Sequence, residues 1–150
     1  MKLSELHWTG PARSVSERDL SELEEMLEVR FPAEHRAFLL RMPGSVPSLR
    51  RFHARDPVVG SWWTELSSFL SADPTDGDGI GATTDVLGDL LGAAVPFAAD
   101  PTGGLVCYEF ARRTRPAIVY WHHLRSTGAA LVPLAPSLDT FLGMLAAMHH

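Results

Sequence analysis

The chain has 150 residues, 45% of them hydrophobic and 21% charged, with a formal net charge of −5 and one cysteine. That length suits one domain over 1–150 with one sizeable core. The single Cys107 excludes an internal disulfide, and the acidic balance speaks against direct nucleic-acid binding, which needs a basic face. No apolar run approaches a membrane span, and residues 1–8 lack the apolar stretch of a secretory signal, so the expectation is a cytoplasmic protein.

Ser14-Val15-Ser16-Glu17 has the spacing of a capping box, a hydroxyl followed three residues later by a carboxylate. Leu20, Leu23 and Leu27 then recur at helical spacing, which predicts an amphipathic helix over 17–29. Glu22, Glu24, Glu25 and Glu28 read as its solvated side. Phe31-Pro32 interrupts it, and a second helix follows over 33–42 with Phe38, Leu39 and Met42 inward, ended by Pro43-Gly44.

Arg50, Arg51, His53 and Arg55 form a small basic cluster, read as a solvated loop or a charge-protected edge strand. Trp62, Leu66, Phe69 and Leu70 sit at helical spacings and predict a short helix over 61–70. Trp63 faces away from Trp62 there, as an edge contact or an exposed anchor. Residues 71–79 are a loop by composition. Its Asp73, Asp76 and Asp78 do not fit a calcium loop: the twelfth position is Thr84 counted from Asp73 and Leu87 counted from Asp76, where a bidentate Glu belongs. A short helix over 85–91 follows, capped by Thr84.

Val95-Pro96-Phe97-Ala98-Ala99-Asp100 is an apolar run leading through Pro101-Thr102-Gly103-Gly104 into a strand over 105–110. After a polar turn at 112–115, Ala117-Ile118-Val119-Tyr120-Trp121 is the strongest strand signal, and the two strands predict an antiparallel hairpin. Residues 130–134 add a strand that Pro133 pushes toward an edge. Ser137 caps a last helix running to about 148, with Leu138, Phe141, Leu142 and Leu145 as its apolar stripe.

Chemistry is thin. The sequence holds no nucleophile elbow, zinc-protease motif, paired cysteines or phosphate-binding loop. Cys107 reads as a core thiol; a nucleophilic role needs a histidine beside it, with His122 and His123 the ones of interest. His122 and His123 alternate across a strand, so they do not share one metal without a bend. Asp100 and Glu109 make a weak acid–base pair because the turn between them leaves their separation undefined. No catalytic residue, metal ligand or cofactor is assigned, and His149 and His150 receive no role.

The order of these segments resembles the SUKH superfamily. Phe31-Pro32-Ala33-Glu34-His35-Arg36-Ala37-Phe38-Leu39 is similar to its L-P-x-x-[YH]-R-x-F-L segment, with Met42-Pro43-Gly44 where the family has Asn-Gly. The 95–100 run resembles its hydrophobic-P-F-A-x-D element, 105–110 and 118–123 its next strands, and Leu134-Ala135-Pro136-Ser137-Leu138-Asp139-Thr140-Phe141-Leu142 its closing helix start. The resemblance implies an α+β fold, with N-terminal helices and a C-terminal helix packed on a mainly antiparallel sheet. It implies a non-enzymatic binder: an immunity protein that neutralises a cognate toxin of nuclease or deaminase type, or a regulatory module of the cell-wall-synthesis regulator kind. A basic toxin suits an acidic chain, and on that ground Asp73, Asp76, Asp78 and Trp63 are the candidate protein-binding residues, charge plus an aromatic anchor. An enzyme using Cys107 with a histidine is the remaining alternative.

Overall fold

The computed structural model describes residues 1–56, 60–110, 116–122 and 131–147. The expected turn at 112–115, His123 and the chain's end from 148 lie outside the described residues. In chain order come a 3₁₀ turn (Leu3–Glu5), β1 (Trp8–Thr9), α1 (Glu17–Leu27), α2 (Ala33–Arg41), β2 (Val46–Pro47), β3 (Arg51–Asp56), β4 (Gly60–Glu65), β5 (Ser68–Phe69), α3 (Ile80–Leu91), β6 (Ala94–Ala99), β7 (Leu105–Glu109), β8 (Ala117–Trp121), β9 (Leu131–Ala135) and α4 (Leu138–Met144). The class is α+β, as expected. Among the described residues no helix is long and apolar enough to cross a membrane.

Strands β5-β6-β7-β8-β9 form an antiparallel sheet in sequence order; β3-β4 and β1-β2 are separate two-stranded ribbons. The 105–109 and 117–121 segments pair as the expected hairpin, Cys107 opposite Val119. Pro133 stands in β9, the sheet's edge. Pro96 is tolerated inside β6 because the register slips between Pro96 and Ala98, a bulge that relieves the ladder of the missing N–H. Alternation gives the central strands two buried faces. Val106, Tyr108, Ile118 and Tyr120 join the main core with Phe97, whereas Leu105, Cys107, Val119 and Trp121 form a smaller cluster with Ala94 and Leu91 of α3 on the other side.

Several expectations are corrected. The α1 cap is Ser16, whose Oγ accepts from Asp19 N at 3.0 Å, and not Ser14. Arg13 and Val15 instead donate their N–H groups to Met42 and Leu40 carbonyls, which keeps 13–15 extended beside the end of α2. Helix α3 starts at Ile80, capped by Gly79, because Ile80 is fully buried and anchors a turn whose glycines look like loop. Helix α4 ends at Met144; Leu145 is extended and Ala146 bridges to Arg51.

The expected helix over 61–70 is instead β4, a bend and β5. Residues 62, 66 and 70 are spaced by four, a separation that satisfies both a 3.6-residue and a two-residue period. The intervening positions decide it: Ser61 and Trp63 are exposed while Phe52 and Ala54, on the pairing strand's other face, are buried.

Glu24 is buried and not on a solvated face. Its carboxylate accepts from Phe31 N at 2.8 Å and from Arg36 Nε at 2.8 Å, while Arg36 also reaches Ser21 Oγ at 3.0 Å and Glu17. This clasp fixes the angle between α1 and α2 across Pro32. Glu24→Ala is expected to cost about 2 kcal/mol, since it orphans a buried N–H and part of a guanidinium, with Glu24→Gln recovering part of the loss; denaturation midpoints of the two variants measure it.

Candidate binding surface

The turn after β6 is organised by Asp100, 5% exposed. One carboxylate oxygen accepts from Thr102 N (2.9 Å), Thr102 Oγ1 (2.8 Å) and Gly104 N (2.7 Å). The other accepts from Thr64 Oγ1 at 3.1 Å and from the Tyr120 hydroxyl. Burial raises the Asp100 pKa, but these donors outweigh it and hold the carboxyl below its ordinary range. The side chain thus joins β4, the 101–104 turn and β8. It is a structural node with its lone pairs committed. Glu109 stands beside Ala94, at the opposite end of the β6–β7 pairing, so no acid–base couple is built.

Cys107 is fully buried in the smaller cluster, and desolvation pushes its thiol up, away from the thiolate a nucleophile needs. His122 lies beyond Trp121 and meets Thr102 Oγ1 at 3.2 Å, near the Asp100 turn, while Cys107 pairs opposite Val119. Among the described residues no group of three His, Cys, Asp or Glu is placed to hold a metal ion.

The acidic loop divides. Asp73 accepts from Thr75 N and Thr75 Oγ1 at 2.8 Å and pairs with Arg13 at 2.8 Å; those bonds lower its pKa. Asp76 accepts from Ser71 Oγ at 2.6 Å and Asp78 N at 3.0 Å, with Arg13 Nε 3.7 Å away. Two of the three carboxylates therefore shape the loop and neutralise Arg13. Asp78 is exposed.

Trp63 is 55% exposed and does not sit with the aspartates' loop but on the β3–β4 ribbon. His53 is its direct cross-strand partner, ring centroids 5.2 Å apart, and the Arg51 guanidinium lies over its indole at 4.6 Å. Residues 51, 53, 55, 61, 63 and 65 share this outer side, while Phe52, Ala54 and Trp62 turn inward, Trp62 against Tyr120. Of the basic cluster noted in the sequence, Arg51, His53 and Arg55 thus form a strand face built around the exposed aromatic, while Arg50 precedes the strand. Pairing register was the missing signal, since 53 and 63 are ten positions apart.

A groove of about 720 Å³ between the N-terminal turn and α2, lined by Leu3, Leu6, Trp8, Ala37, Phe38 and Leu40, is the other concavity of note. Its lining is mainly apolar, with Ser4, Glu34 and Arg41 as the polar members.

Comparison with curated proteins and with solved structures gives no match. The model of the SMI1 / KNR4 family (SUKH-1) matches residues 14–144, from the segment before α1 to the end of α4. The motif residues within that span do fold work: Arg36 clasps two helices, His35 and Phe97 fill the core, and Asp100 ties three elements together. The chain belongs to the SMI1/KNR4 (SUKH-1) family.

Proposed function

We propose that this protein is an immunity protein, a non-enzymatic cytoplasmic binder that neutralises a cognate toxin. The observation that carries the reading is the combination of family membership with a chemically quiet interior. Asp100 is saturated by hydrogen bonds and Cys107 is sealed in the sheet, whereas an aromatic and charged side chains stand on the surface. A binder needs such a surface and no reaction centre.

Asp73, Asp76, Asp78 and Trp63 are proposed to contribute to the toxin-facing side. Asp78 offers the exposed charge for a basic toxin, and Asp73 and Asp76 hold the loop that presents it. Trp63 supplies an aromatic anchor. The test is a search for a toxin domain encoded beside this gene, followed by co-expression of the two. The intact chain is expected to protect the cells, and Asp78→Lys or Trp63→Ala to weaken the complex by roughly tenfold each, about 1.4 kcal/mol. Unchanged binding in both variants removes this surface; no protection removes the immunity reading. Family membership is equally compatible with a second reading as a regulatory scaffold module for another protein; binding to a partner other than a toxin distinguishes it.

A further inference from the structure

We propose that the outer face of the β3–β4 ribbon is a docking strip for an extended acidic segment of a partner protein. It goes beyond the toxin-binding reading, with which it shares only Trp63, and it names a different chemistry, an acidic segment, for what meets that residue.

Three observations carry it. Arg51, His53 and Arg55 follow one another at alternate positions on β3, so their side chains repeat roughly every 6.6 Å along one face. An extended peptide repeats its own side chains with the same period, and acidic residues at every second position match the row. Next, neither Arg51 nor Arg55 has a carboxylate in ion-pair range among the described residues, although Glu65 stands directly across from Arg51 in the register. Among the described residues their donors thus remain available, and a guanidinium stacked on an indole presents its edge to a carboxylate. Last, Trp63 is a large exposed aromatic on a held backbone: the adjacent Thr64 is tied to the Asp100 node at 3.1 Å and Trp62 packs beside Tyr120. A fixed aromatic flanked by arginine is the composition that interface centres favour.

The charge also selects the class of partner. A nucleic acid needs a basic track long enough to follow its backbone. This strip has two arginines and a histidine with Glu65 among them, on a chain of net charge −5. An acidic peptide needs only the strip.

The test uses the full chain and a short synthetic peptide alternating Glu with Val, followed by amide and side-chain nitrogen–proton NMR. The Trp63 indole and the Arg51 and Arg55 Nε–H signals are expected to shift together. Affinity is expected to fall roughly tenfold or more in Trp63→Ala and in the double variant Arg51→Glu/Arg55→Glu. Both variants change exposed or half-exposed side chains, and their amide spectra verify the fold. A Lys/Val counterpart is expected to leave these signals in place. Shifts centred elsewhere, equal binding of the Lys/Val peptide, tighter binding of oligouridylate at this face, or no response to the Glu/Val peptide each overturn the proposal. The two readings fail separately. Protection from toxin with no acidic-peptide binding removes only the docking strip, and peptide binding without protection removes only the toxin.

Discussion

Asp100→Ala is expected to destabilise the fold by about 4 kcal/mol, seen as a lower urea midpoint with little change in slope. The carboxylate accepts five hydrogen bonds from Thr64, Thr102, Gly104 and Tyr120. Each such bond to a charged acceptor is worth about 1.5–3 kcal/mol in isolation, but five bonds to one group do not add. The substitution also leaves the Tyr120 hydroxyl and the Gly104 N–H buried without this acceptor. Gly104→Ala attacks the same node sterically: a Cβ there meets the Tyr120 hydroxyl and lies 2.5 Å from Tyr120 Cζ. Tyr120→Phe is not expected to rescue that loss, because the ring atoms Cζ and Cε2 stay 2.5 and 2.7 Å from the added Cβ and the bond to Asp100 is lost as well. Losses below about 1 kcal/mol for Asp100→Ala refute the node. The depressed carboxyl sets a pH signature as well. Its stabilisation is present above the unfolded pKa near 3.8 and disappears as pH falls through the lower folded value, a dependence that Asp100→Asn removes.

Acid is expected to weaken the protein from pH 6.5 downward, through His35. Its ring is fully buried among Phe31, Phe38, Phe69, Phe97 and Tyr108, with Nδ1 2.6 Å from the Tyr108 hydroxyl and Nε2 without a partner among the described residues. Burial lowers its pKa from 6.5 to about 3. The neutral ring is the native form, so its stabilisation is fully present above pH 6.5. It is lost progressively as pH falls toward 3, where unfolding takes up a proton that the native state refuses. The limiting slope is about 1.4 kcal/mol per pH unit. In the pair His35→Leu/Tyr108→Phe, which removes the titrating ring and the hydroxyl together, stability measured between pH 6.5 and pH 5 is expected to become flat by comparison. An equal slope in the variant assigns the acid sensitivity elsewhere.

The sequence carried the elements whose signals were local. The leucine stripe of α1, the paired strands at 105–109 and 117–121, and the Ser137 cap needed only neighbours within a turn or a hairpin. What escaped depended on distant partners. Glu24 looks like any other member of its acidic run until Phe31 and Arg36 fold back on it. His35 looks like a surface histidine on a helix with a weak apolar face, and only the assembled core buries it. At the candidate surface, the four proposed residues were visible as types, but their grouping was not. Arg13, sixty positions from Asp73, consumes part of the loop's charge, and the register of β3 on β4 sets Trp63 among cations.

The smaller cluster behind the sheet has one more consequence. Cys107 is the chain's only thiol, and it is sealed there between Pro96 and Val119 on the neighbouring strands. An alkylating reagent reaches it only when those strands part, so the rate of its labelling is a clock for the opening of the sheet's centre. The chain thus carries a single chemical reporter at the centre of the sheet, and it reads separately from any spectroscopic signal of the tryptophans on the ribbon.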